Sequence, residues 1–416
     1  MTVENSSPDS GSSSGTSIPS SPASVPSSPD SAPLNPASGP LVGLKVVELA
    51  GIGPAPFCAM LLADMGADVI RVDRTTAVPE EFPDHPSSDP LNRGRRSLAV
   101  NLKDPAGTEV VLRLVETADM LLEGFRPGVA ERLGVGPKVC LERNPKLVYG
   151  RMTGWGQTGS YATAAGHDIN YVALSGVLST VGARGGPPVP AVNYLGDFGG
   201  GGMLLAFGLV CAALSARQTG HGQVVDAAMV DGSALLATMT YAMHSLGVWG
   251  ERGENLLDGG AYYYGVYECA DGEYVSIGSL EPQFYQELLR LTGADESKLP
   301  LQGDREAWPA GRQYLEAIFK TKTRVEWCEI MEGSDVCFAP VLNLDEAPRH
   351  PHNVAREGFM KLGEMTLPAP APRFGLTPGK VQRPSPHPGQ HTQEVLLDWG
   401  FAETDLAELR SSGTVV

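Results

Sequence analysis

The chain has 416 residues, 42% of them apolar, and a formal net charge of −17. That length holds two domains, or one large domain with an excursion, and the acidity, with no long basic stripe to offset it, argues against nucleic acid as a partner. No apolar run reaches the roughly 18–20 residues of a membrane span; Met203 to Leu214 comes nearest and reads as one buried helix.

Residues 1–40 hold fourteen serines, eight prolines and no Lys or Arg. Such a segment cannot bury a core, so residues 1–39 are expected as a disordered tail. It has neither the apolar stretch of a secretory signal nor the arginines of a mitochondrial presequence. The pattern changes at Leu41. Lys45–Leu49 reads as a strand, Gly51-Ile52-Gly53 as a tight turn, and Pro54 opens a helix whose apolar face is Phe57, Met60, Leu61 and Met65. Asp68–Asp73 is a second strand, which makes a βαβ unit and predicts an α/β layer fold with a parallel sheet. The unit repeats through a helix over Pro105–Glu116, a strand at Met120–Leu122, a helix before Pro145 and a strand at Leu147–Tyr149.

An apolar helix after Gly202 is expected to run to about Ser215, then a strand at Val224–Ala227 and a long helix over Ser233–Leu246. Beyond Gly259, Tyr262–Tyr267 and Tyr274–Ile277 flank Asp271-Gly272, a hairpin signal. The expected division is a large α/β domain at 40–228, a linker helix at 229–257, a smaller α+β domain at 258–345, and a return segment at 346–416 ending in a helix near Thr392–Trp399. The six cysteines are scattered without a Cys-x-x-Cys, which favours reduced thiols and a cytoplasmic location. The last residues, Gly413–Val416, are not a Ser-Lys-Leu-type peroxisomal signal. No histidines sit at metal-ligand spacing; His350 and His352 flank Pro351.

Several positions carry chemistry, each beside a plainer role. Gly51-Ile52-Gly53-Pro54-Ala55-Pro56 begins like a dinucleotide fingerprint, with Asp73 at the distance of a ribose-binding acid, but proline replaces the third glycine. A plain turn explains it better than NAD binding. Arg74, at a strand's carboxyl end, Arg93, Arg95, Lys103 and Arg126 are candidate phosphate clamps or solubilising charges. His167 lies between Gly166 and Asp168, and Asp168 would cap a helix beginning at Ile169. Asp197 could be a base or an N-cap, a role that would depress its pKa. Four glycines follow Phe198, and a helix starting there would offer Gly199 and Gly200 backbone N–H groups to an anion. Glu281 follows a strand, where first-turn placement favoured by the helix dipole is the plainer role.

At these residues the chain resembles the α-methylacyl-CoA racemases within the family III CoA-transferase superfamily. The resemblance runs from Gly39 to about Arg373. It rests on Val47–Pro54, Phe125–Val129, Thr153–Gly159, Ala165–Tyr171, Gly196–Gly200, Leu257–Ala261 and Glu281–Tyr285. It implies a Rossmann-like, CoA-binding large domain, a small domain, and an interlocked homodimer whose active site lies between the large domain of one subunit and the small domain of the other. By the same resemblance His167 and Asp197 are the two bases and Glu281 their partner. Arg74 contacts the CoA phosphates, Arg93 or Arg95 fills a second such position, and Arg126 and Lys103 are further contacts. The substrate would be an acyl-CoA thioester and the reaction an isomerisation with no separate cofactor or metal. The Asp197–Gly200 helix start is the expected oxyanion site. The leading alternative is a CoA transferase with Asp168 as carboxylate nucleophile; a nicotinamide oxidoreductase and a catalytically silent CoA-binding protein are the others.

Overall fold

A computed structural model of the chain describes residues 38–416. The expectation for the Ser/Pro-rich tail lies outside the described residues, apart from its last two. The first half of the fold is a six-stranded parallel sheet built from β1 (Lys45–Leu49), β2 (Asp68–Asp73), β3 (Arg96–Ala99), β4 (Met120–Glu123), β5 (Val148–Thr153) and β6 (Val224–Ala228). Its spatial order is β3-β2-β1-β4-β5-β6, so strand order reverses beside β1. β4 and β5 are buried along their whole length, as strands covered on both faces must be. Neighbours in β1 part company: Val46 joins the core under one sheet face and Val47 the core under the other, the period of two that a pleated strand imposes.

Helices cover both faces. On one lie α1 (Pro54–Asp64) and, later in the chain, α6 (Leu204–Thr219); on the other lies α2 (Pro105–Thr117). Pro54 occupies the first position of α1, where a missing N–H costs nothing, and Asp104 caps α2 through the Ala106 N–H. Short helices α3 (Val129–Arg132) and α4 (Pro137–Arg143) link β4 to β5, and α5 (Asp168–Leu174) follows β5. The next element departs from expectation. A π-helix over Tyr194–Met203 precedes α6 and runs into it, giving one helix of 26 residues, Tyr194–Thr219, instead of one starting after Gly202. By length and composition it could cross a membrane; its Leu205, Leu209 and Ala216 are instead buried against the sheet.

The single helix expected over Ser233–Leu246 is two, α7 (Met229–Leu236) and α8 (Thr238–Ser245), broken at Ala237. Then β7 (Tyr264–Glu268) and β8 (Tyr274–Gly278) form the antiparallel hairpin, with Gly272 at φ +80 in its turn. Helices α9 (Pro282–Thr292), α10 (Trp308–Phe319) and α11 (Arg324–Met331) and strand β9 (Phe338–Pro340) complete this part around its own aromatic core, which includes Tyr262, Tyr267, Phe319 and Trp327. After α12 (Pro351–Ala355) and the hairpin β10 (Phe359–Leu362) and β11 (Met365–Pro368), the chain returns to the edge strand β3. There α13 (Thr392–Asp398) is held by Arg96, which bonds Glu394 and Asp398 along with Asp68. The last helix, α14 (Glu403–Ser411), leads to Val415, which bridges Val100. All six cysteines are unpaired.

Candidate active site

The reversal of strand order opens a crevice at the carboxyl ends of β1 and β4, where open α/β sheets take their ligands. A cavity of about 280 Å³ lies there. The turn after β1 with the start of α1 (Ile52 to Ala55), the loop after β4 (Gly124 to Pro127) and the end of β5 (Met152 to Trp155) form three of its walls; Ala162, the Ala164–His167 segment, Tyr171, Asp197 and Met229 form the rest. Trp155 and Tyr171 meet edge to face at 4.6 Å.

His167 and Asp197 therefore face one space from two different helices. His167 is the residue before α5, with extended backbone (φ −130, ψ 174), and its N–H is held by Asn170 Oδ1 at 3.0 Å. Its side chain is exposed. Asp168, expected as the cap, is instead the first residue of α5, and its Oδ1 accepts the Asp197 N–H at 2.7 Å. Asp197 is not an N-cap either. It is the fourth residue of the π-helix, and its Oδ2 accepts from Asn193 Nδ2, four residues back, at 3.0 Å. Burial raises its carboxyl above the ordinary aspartate pKa; the Asn193 bond pulls the other way, the Asp168 charge adds to the rise, and His167 opposes it. Gly53, at φ +70, lies behind this carboxylate, and a Cβ there would stand 3.6 Å from Asp197 Oδ2.

The glycine run has a different role from the one expected. Gly199 and Gly200 lie within the π-helix, not at its start, so their N–H groups serve i→i−5 backbone bonds and are not offered to a ligand. What the run provides is close approach. A Cβ on Gly200 would stand 2.6 Å from Ser233 N, and one on Gly232 only 1.8 Å from Gly200 O. The π-helix is pressed onto α7 on this side and onto Pro54 of α1 on the other, where a Cβ on Gly202 would meet Pro54 O at 2.5 Å.

The arginines divide by partner. Arg93 grips Asp64 with two nitrogens, at 3.2 and 2.7 Å, and Arg95 is fully buried on Glu48 and the Pro56 carbonyl. Both are spent on buried carboxylates, which removes them as phosphate clamps. Arg74, at the end of β2, and Lys103, beyond β3, are exposed, and Arg126 is exposed on the cavity wall. Glu281 is brought to none of these. It precedes α9, is exposed, makes no capping bond through its side chain, and does not line the cavity. Sequence reasoning missed Asn193, whose i−4 spacing from Asp197 signals contact only once a helix is known to begin at Tyr194. It also missed Met229 as a wall.

A larger cavity, about 1070 Å³, opens between the 182–184 loop, the 247–266 segment and α10. Most of its charges are already engaged. Arg184 pairs with Glu254, Arg305 and Arg312 donate to backbone carbonyls, and Asp258 accepts four bonds from its own loop.

Comparison with known proteins identifies the family. The model of CoA-transferase family III matches residues 41–392. An alpha-methylacyl-CoA racemase from Mus musculus is 45% identical over 90% of this chain and 97% of its own length. The protein of the same name from Homo sapiens is 43% identical over 89% and 96%. Among solved structures, a CAIB/BAIF family protein from Brucella suis superposes with a TM-score of 0.72 at 25% identity, covering 87% of this chain and all of that one.

Proposed function

The chain belongs to CoA-transferase family III, and on that premise we propose that it interconverts the (R) and (S) epimers of 2-methylacyl-CoA thioesters, moving the α-proton between two bases. The observation that carries this reading is the pairing of His167 and Asp197 on separate helices around one cavity, with the carboxyl's pKa raised by burial. A hydrogen on the carbon beside a thioester is weakly acidic, so its removal needs a placed base and a stabilised enolate. Inversion needs one base per face, in opposite protonation states. Neutral His167 takes the proton from one epimer while protonated Asp197 returns one to the other face; for the opposite epimer the roles exchange. A raised carboxyl pKa suits a group that must act as both acid and base. The reaction balances with no redox partner, since one proton leaves and one enters.

Placed acid–base groups contribute about 10²–10⁴-fold, so charge on the enolate oxygen must be met as well. With Gly199 and Gly200 engaged, and with the Asn170 and Tyr171 N–H groups donating to the His167 carbonyl, the Asp168 and Ile169 N–H groups beside His167 take that role. Arg74, Lys103 and Arg126 are the exposed cations left for the CoA phosphates. Glu281 would come from a second copy of the chain, to support the His167 imidazolium. Support for that copy is an exposed apolar stripe at helical spacing, Met203 at the end of the π-helix and Phe207, Val210 and Leu214 on α6, with Leu235 and Met239 also exposed on α7 and α8.

One epimer of a 2-methylacyl-CoA in deuterated water, with no second acid present, tests the reading. Deuterium at the α-carbon and appearance of the opposite epimer are expected, and the absence of both overturns it. His167→Ala and Asp197→Ala should each abolish inversion while leaving thioester binding intact. Transfer of CoA to an added free acid would favour a transferase with Asp168 as nucleophile. Against that stand the engagement of the Asp168 carboxylate with the Asp197 backbone and the racemase name of the mammalian relatives.

A further inference from the structure

Asp168 is left without a task by the two-base scheme, yet it touches both bases. It follows His167 in the chain, opens α5, and accepts the Asp197 N–H at 2.7 Å. That N–H lies in the first turn of the π-helix, where the helix itself has no acceptor for it. The approach is prepared by Gly196: a Cβ there would stand 2.5 Å from Asp168 Oδ1 and 3.0 Å from its Cγ. The Asp197 side chain is held separately, by Asn193.

We propose that Asp168 is a positioning residue: its carboxylate ties the backbone of Asp197 to the start of α5 and so sets the second base at a fixed place relative to the first. The inference rests on the racemase reading and adds to it a use for the residue that the transferase alternative needs as nucleophile. The charged and titratable groups around Asp197 are few. From α5 come His167, Asp168 and Tyr171, and from the loop after β4 comes Arg126. The single charge of α1, Asp64, sits at the far end of that helix on Arg93, and that of α7, Asp231, is exposed. The Asp168 charge therefore also helps to keep the Asp197 carboxyl protonated, reinforcing burial.

Three variants test this. Asp168→Ala removes both acceptor and charge. It is expected to slow inversion about tenfold to a hundredfold, the cost of roughly an ångström of misplacement, with KM little changed. The loss should be one-sided: the epimer deprotonated by His167 still takes up deuterium with retention, whereas the epimer deprotonated by Asp197 does not. Asp168→Asn keeps an oxygen acceptor and should restore inversion. In the direction that uses Asp197 as base, its acid limb in the kcat–pH profile should move to lower pH. Gly196→Ala forces the two segments apart with both carboxylates present, and should reproduce the one-sided loss even if the alanine variant at 168 does not fold. Equal exchange of both epimers in the Asp168→Ala and Gly196→Ala variants, or an Asn variant as poor as the alanine one, overturns the proposal. Amide hydrogen exchange at Asp197 needs no turnover: it should be slow in the wild type and the Asn variant and fast in the Ala variant. A wild type that racemises nothing but shows this pattern would sink the racemase reading and leave the tether standing; equal amide exchange in all three would sink the tether alone.

Discussion

Arg74 and Arg95 show how partners, not residue type, decide what an arginine does at the end of this sheet. Arg95 has Glu48 and a backbone carbonyl and no contact with water, whereas Arg74 is open to solvent at the end of β2. Removing Arg95 leaves the buried Glu48 with Arg71 as its one remaining partner. Arg95→Met should therefore destabilise the fold by about 1–3 kcal/mol, the cost of a buried acceptor left without its partner, visible as a lower denaturant midpoint. Arg74→Ala should leave stability within about 0.5 kcal/mol of the wild type and raise KM with kcat unchanged, as loss of uniform binding does. An Arg95→Met protein of full stability with a raised KM would reverse the assignment. No local pattern separates the two arginines. The acids that bury Arg93 and Arg95 lie 29 and 47 positions away, in elements whose proximity exists only once the sheet has formed. That His167 and Asp197 share a cavity was expected from the resemblance, each being set beside glycine in one of its runs. That Asp197 is not an N-cap was not legible, because helix boundaries decide it and they depend on contacts far away in the chain.

At the scale of elements, β1, β2, α2 and the β7–β8 hairpin were legible from periodicity and turn residues, which are local. β3 was not: it begins at Arg96, inside a run of arginines that reads as a solvated loop, and is made a strand by its ladder with β2 and by the acids around that side chain. The π-helix was hidden for a related reason. Glycines weaken a helix locally, and only the backbone contact with α7 and α1 explains why four of them lie inside one. The loop after β4 holds a further feature. Glu123, buried at the end of that strand, accepts the Phe125 N–H at 2.5 Å and bonds Arg151 at 3.0 Å, which in turn holds Glu131 of α3. Burial is the main cause of a Glu123 pKa raised to about 7, against the lowering pull of the Phe125 bond and Arg151. A folded pKa above the unfolded one means stability that is present below the unfolded value and lost as pH rises through about 7. Glu123→Gln keeps an acceptor and cannot ionise, so its melting temperature should fall less than that of the wild type between pH 5 and pH 8. Parallel slopes for the two proteins would refute the raised pKa.

For the whole molecule, the decisive fact is that Glu281 and the His167–Asp197 cavity do not meet within one chain. If sites are completed across a two-fold pair, two dead variants should rescue each other. A His167→Ala subunit paired with a Glu281→Ala subunit has one site with both defects and one with none. Equal amounts, unfolded and refolded together, should regain about a quarter of wild-type activity, half the dimers being mixed and each holding one good site of two. No regain in a mixture shown to form mixed dimers would mean that Glu281 serves the cavity of its own chain, or none. The 26-residue helix adds a consequence of its own. Asp197 sits in its first turn and the exposed apolar stripe follows on the same continuous helix, so the proposed base and the proposed docking face belong to one element. Specific activity should then depend on how much protein is present. Dilution would silence the catalyst by mass action without unfolding it, and a rate measured at nanomolar protein would describe a different molecule from one measured at micromolar.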